Sequence, residues 1–128
     1  MEAVEAAWNA GASPWNSRRL ASVYTADALF FGGRPGHSVG VDAIRQYFSS
    51  YEGLITAAAM HLQDQHLMEM APRCILAQGY AEFAFLLAGG ERTISRLRTT
   101  IVLIEQEGAW KIRQHHFSPT PDAPPLGN

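Results

Sequence analysis

Residues 92–118 read RTISRLRTTIVLIEQ, then EG, then AWKIRQHHFS. Two long runs of alternating polarity, Arg92–Gln106 and Ala109–Ser118, flank the short turn Glu107-Gly108 and predict an antiparallel hairpin. Upstream, Ala57–Met70 and Cys74–Leu87 share this extended texture. Met70-Ala71-Pro72-Arg73 and Ala88-Gly89-Gly90-Glu91 separate them from their neighbours. Parallel neighbours need crossovers of about a dozen residues, so joints this short predict an antiparallel meander.

The first half reads as helical. Val4, Ala7 and Trp8 follow the i, i+3, i+4 spacing of an apolar stripe, with Gly11 as the expected C-cap. Ser13-Pro14 restarts the chain as N-cap and first helical residue, and Leu20, Val23 and Tyr24 supply the second apolar face. DALFFGG (27–33) reads as a strand and RPGHSVG (34–40) as a turn-rich loop. Ile44, Tyr47, Phe48 and Tyr51 mark a third helix from about Val41. Three helices followed by a meander predict an α+β domain, residues 1–118, with the helices covering one face of a curved sheet. The proline-rich stretch 119–128 is expected to be a mobile tail.

Composition limits the function. A chain of 128 residues with net charge −2 and pI near 6.2 lacks the basic excess of a nucleic-acid or anionic-membrane partner. Lys111 is the lone lysine among ten basic residues, so the remaining positive charge sits on arginines, whose planar forks suit carboxylates. No stretch approaches the ~20 apolar residues of a membrane span. Glu2 and Glu5 stand where a signal peptide would carry positive charge. Cys74, alone, makes no internal disulfide, so a reducing cytoplasm is expected.

Alternation assigns strand faces. One parity of 92–106 holds Arg96, Arg98, Thr100, Val102 and Ile104, and the other holds Leu97, Thr99, Ile101 and Leu103. In the last strand Trp110, Ile112, Gln114, His116 and Ser118 share one parity. Centring the preceding hairpin on Gly89-Gly90 places Glu82 opposite Arg96 or Arg98, with Tyr80 beside it. The expectation is a pocket lined by Arg98, Glu82, Tyr80, Gln114, Thr100 and Arg96, with Trp15 and Tyr24 in its wall. The other face, Leu97, Ile101, Leu103 and Phe117, is expected to meet a second subunit. Arg98 has two readings, an anchor for a carboxylate or phenolate, or a buried ion pair with Glu82. His116 likewise has two, a proton shuttle in the pocket, or a core histidine satisfied by Tyr80, Gln114 or a carbonyl. No metal or other cofactor is expected. His61 and His66 lie five apart on a strand and His115 and His116 are adjacent, so each pair points to opposite faces.

WNAG, SVYTADALFFGG, HSVGVDAIRQYF, RLRTTIVLIEQEGAWKI and HHFS together resemble the SnoaL-like branch of the nuclear-transport-factor-2-like superfamily. The resemblance extends to its small stand-alone bacterial members and to the association domain of calcium/calmodulin-dependent protein kinase. It covers residues 4–118 and implies a cone, a curved sheet wrapped round three helices with a pocket at the open end, commonly paired sheet to sheet as a homodimer. The catalytic groups of ketosteroid isomerase relatives are not matched, because Gly32, Thr100 and Ala3 fall at those positions. His116 is the nearest substitute for the late-strand acid/base groups of SnoaL-type cyclases. Three functions stay open: a cofactor-free isomerase, dehydratase or cyclase; a binding module holding an organic acid; and an oligomerisation module.

Overall fold

The computed structural model describes residues 1–127. In chain order it contains α1 (Glu2–Ala12), α2 (Ser17–Ala21), β1 (Tyr24–Phe31), β2 (Ser38–Val39), α3 (Val41–Ser49), β3 (Ile55–Ala71), β4 (Cys74–Leu87), β5 (Arg92–Gln106) and β6 (Ala109–Pro119). The strands form one curved, unclosed sheet in the order β2-β1-β6-β5-β4-β3. β3 to β6 are the expected antiparallel meander, and β1 adds to β6 in parallel. The architecture is α+β, as the pattern predicted. Residues 120–127 form no helix or strand, and Asn128, the end of the predicted tail, lies outside the described residues. Among the described residues no helix is long and apolar enough to cross a membrane.

Three helix signals act differently from expectation. Gly11 lies inside α1 rather than capping it. A Cβ there would come within 2.8 Å of Leu20 N, so the glycine lets α2 approach closely. Asn16, not Ser13, caps α2, its side chain accepting a hydrogen bond from the Arg19 N–H at 3.0 Å. Tyr24 opens β1 instead of closing the second helix.

The helices pack on one face of the sheet. Trp8, Leu20, Ile44 and Phe48 are buried there against Phe30, Met60, Phe83, Ile101, Leu103 and Ile112. This reverses the expected faces of β5. Leu97, Ile101, Leu103 and Phe117 belong to the core, so they form no subunit face, and Arg96, Arg98 and Thr100 stand on the outside. The reason is energetic. Each buried aliphatic or aromatic side chain contributes about 1.5–3 kcal/mol, whereas burying unpaired guanidinium groups costs several. The more apolar parity therefore turns inward.

Among the register shifts of the long strands, one at Arg113 and one at Asp64 set the local phase. Ile112 pairs with Leu103 but Gln114 pairs with Val102, so Arg113 is an extra residue. The expected alternation of β6 breaks there. Ile112, His115 and Phe117 face the core, while Gln114 and His116 face out. In β3 the register jumps from Gln63↔Tyr80 to His66↔Gln78, with Asp64 at φ 52°. Gly79 lies opposite, where a Cβ would meet the Asp64 carbonyl oxygen at 2.5 Å.

Candidate ligand cavity and outer groove

α1, α3 and the inner face of the sheet enclose a cavity of about 470 Å³. Its walls are rings: Trp8, Trp15, Tyr47, Tyr51, Phe83, Phe85 and Phe117, with Leu54, Leu87 and Leu97 between them. The rings hold one another edge to face, Trp8 against Trp15 at 6.5 Å and 82°, and Trp15 against Tyr51 at 6.0 Å and 74°. Both indole donors are spent inside the protein. Trp8 Nε1–H donates to Tyr24 Oη at 3.3 Å and Trp15 Nε1–H to the Phe48 carbonyl at 3.0 Å. A ligand therefore meets these tryptophans only as apolar surface.

Polar groups in the cavity are hydroxyls. Tyr47 Oη accepts from the Gly33 N–H at 2.8 Å and lies 3.4 Å from Tyr51 Oη. Burial raises the Tyr47 pKa well above the usual phenol value, so the group stays protonated. From outside, the Arg34 guanidinium covers the Tyr51 ring at 4.3 Å. Ser95 and Ser118 complete the polar set, and among the described residues no carboxylate, imidazole, amine or thiol lines the walls. The residues that fall at the ketosteroid isomerase positions cannot supply one. A side chain at Gly32 would run into Tyr47 and Phe30, Thr100 is on the outer face and Ala3 is exposed on α1.

Beneath the cavity lies a polar relay that strand alternation missed. Tyr24 Oη is 2.8 Å from His115 Nδ1, and both side chains are buried. Tyr24 Oη also accepts from Trp8, and which of Oη and Nδ1 donates across the contact is set by the imidazole tautomer; the other ring nitrogen is Nε2. That Nε2 is buried without a partner. Burial, and next to it the charge of His116, lowers the His115 pKa from 6.5 to about 3, so the ring is neutral near pH 7. The signal for His115 was in the sequence. Ile112 and Phe117 are both apolar yet differ in parity, which requires a bulge between them.

The predicted site residues divide between two places. Trp15 lines the cavity, and Tyr24 is buried below it. Arg98, Thr100, Tyr80 and His116 line a separate groove of about 490 Å³ on the outer face, with His66, Gln78, Asp64 and Ser118. Gln114 pairs with Val102 on that same face. Glu82 stands opposite Arg96, as expected for one of the two registers, but the predicted Arg98–Glu82 ion pair does not form. Arg96 instead bonds Asp64 at 3.1 Å and lies 3.9 Å above the Tyr80 ring. Arg98 has no salt bridge among the described residues.

Solved structures share this architecture. A protein from Xanthomonas campestris, proposed to be a calcium/calmodulin-dependent protein kinase II association domain, superposes with TM-score 0.79 at 19% identity, over 95% of this chain and 84% of that one. A proposed scytalone dehydratase from Novosphingobium aromaticivorans gives 0.76 at 12%, over 94% and 81%. A type 3 hexachlorocyclohexane dehydrochlorinase from Novosphingobium barchaimii gives 0.70 at 15%, over 95% and 88%. At these identities the likeness is one of fold. No protein of curated function matches the chain in sequence. The model of the SnoaL-like domain matches residues 1–122, and the chain therefore belongs to the SnoaL-like family.

Proposed function

We propose that this protein binds an uncharged, flat aromatic compound in the cone cavity and does not turn it over. The observation that carries this reading is the lining. Aromatic walls bury a planar ligand, and the Tyr47 and Tyr51 hydroxyls are placed to hydrogen-bond one polar substituent. The elimination chemistry named for two of the similar structures would need a base beside the ligand, and none lines this cavity. A volume of about 470 Å³ suits a two-ring molecule. Titration with 2-naphthol is expected to change the fluorescence of Trp8 and Trp15, while 2-naphthoate, whose carboxylate finds no cation there, enters this cavity at least about tenfold more weakly by the same signal. Equal binding of the two, or no response to either, would sink this reading.

A second reading concerns assembly: the protein works as a homodimer joined through the outer face of the sheet. Leu29, Phe31, Val39 and Met68 are exposed there, an apolar fringe that a two-fold pairing can bury. Val102 lies centrally on this face, between Leu76 and Gln114. Val102→Glu is expected to elute from a sizing column at half the mass of the parent protein with its circular dichroism intact. A parent that is already monomeric, or a variant that stays dimeric, counts against this pairing.

A further inference from the structure

We propose that the outer groove is a second binding site, specific for a small organic carboxylate and anchored on Arg98. Strand register brings its residues together in two adjacent rows. One row runs His66–Gln78–Thr100–His116 across β3, β4, β5 and β6, and the next runs Tyr80–Arg98–Ser118 across β4, β5 and β6. The bulge at Asp64 carries His66 into the first row, and without it β3 would present the opposite parity there.

Charge in the groove is out of balance with the rest of the protein. The chain carries net charge −2, yet the groove's one carboxylate, Asp64, is already held by Arg96 at 3.1 Å. Among the described residues Arg98 is left as a permanent cation with no carboxylate of its own. Around it stand the hydroxyls of Thr100 and Ser118 and the imidazole of His116, all capable of donating to an oxygen. Thr100 Oγ1 accepts from Gln78 Nε2 at 3.1 Å, which leaves the threonine proton directed elsewhere.

A guanidinium fork binds a planar carboxylate through two parallel hydrogen bonds. One unpartnered permanent cation matches the single charge of a carboxylate better than the double charge of a phosphate. A groove of about 490 Å³ far exceeds a carboxylate group, so the acid carries an organic body. The site opens on the other side of the sheet from the cone cavity, and of its lining residues only Ser118, near the end of β6, also borders that cavity. Apolar residues flank the polar rows, Leu76 and Val102 beyond Thr100, and Ala84 and Ile94 beyond Arg96.

The test is a titration of the intact protein with sodium benzoate, methyl benzoate and inorganic phosphate, read from the side-chain NMR resonances of His66 and His116. Benzoate is expected to move both, with methyl benzoate and phosphate far weaker. Arg98→Ala should weaken benzoate by roughly 10- to 100-fold, and the bulkier Arg98→Gln similarly, as for loss of hydrogen bonds to a charged group. Tyr51→Phe, which alters only the cone cavity, should leave benzoate affinity unchanged. Phosphate binding as tightly as benzoate overturns the proposal, as does full benzoate affinity in both Arg98 variants. So does a benzoate response seen in Trp8 and Trp15 fluorescence but not at His116.

Discussion

Ile101→Glu is expected to unfold this protein rather than to separate subunits. Ile101 lies in the middle of β5 with no exposed surface, between Ala77 and His115, both equally buried. A carboxylate placed there faces the His115 imidazole, which burial keeps neutral near pH 7, and the arginines of β5 point to the other face. Burying it costs several kcal/mol beyond the ~2–5 kcal/mol lost by removing the aliphatic chain. The sum approaches the whole stability of a domain this size, about 5–15 kcal/mol. Circular dichroism should therefore show loss of structure for Ile101→Glu at 25 °C. Ile101→Ala should remain folded with a lower denaturation midpoint. A folded, monomeric Ile101→Glu would restore Ile101 to the subunit face that strand alternation had given it.

That contrast shows what the residues carried and where they ran short. The meander was legible because turn-forming pairs such as Glu107-Gly108 and Gly89-Gly90 punctuate long alternating runs, and the β4–β5 register followed from counting outward from one turn. The third helix was legible from Ile44 and Phe48, which are indeed its buried residues. The face of the sheet was not, because alternation defines two sets without saying which is inside. Polar residues suit a pocket, but hydrophobic burial outweighs that preference. Bulges were the second loss. Arg113 and Asp64 each shift the phase by one residue, and every position beyond such a shift is read on the wrong side. His115 and His116 exchanged places for this reason. The cavity of aromatic rings was only partly legible. Trp15 was named as wall, but Tyr47 and Phe83 reach the same space from separate elements that no local pattern connects.

His115 makes a second large effect expected, on stability against pH. Its folded pKa lies at about 3, against 6.5 for the exposed ring, because a charged imidazole would be buried among Tyr24, Phe30 and Phe117. Between these values the unfolded chain binds the proton and the folded one does not. Stability therefore rises with pH in that window, is fully present above about pH 6.5, and falls as the solution is acidified. The slope approaches 1.4 kcal/mol per pH unit, so several kcal/mol are lost by pH 4. Urea denaturation at pH 7.5, 6, 5 and 4 should show the midpoint dropping steeply below pH 6. Carboxylates also titrate near pH 4, so His115→Phe separates the contributions. The variant loses the Tyr24 hydrogen bond and is about 1–3 kcal/mol less stable at pH 7.5, yet its stability should stay flat from pH 7 to 5. A parent protein equally flat over that range would mean that the Tyr24–His115 pair opens to water, with Nε2 hydrated rather than sealed in the core.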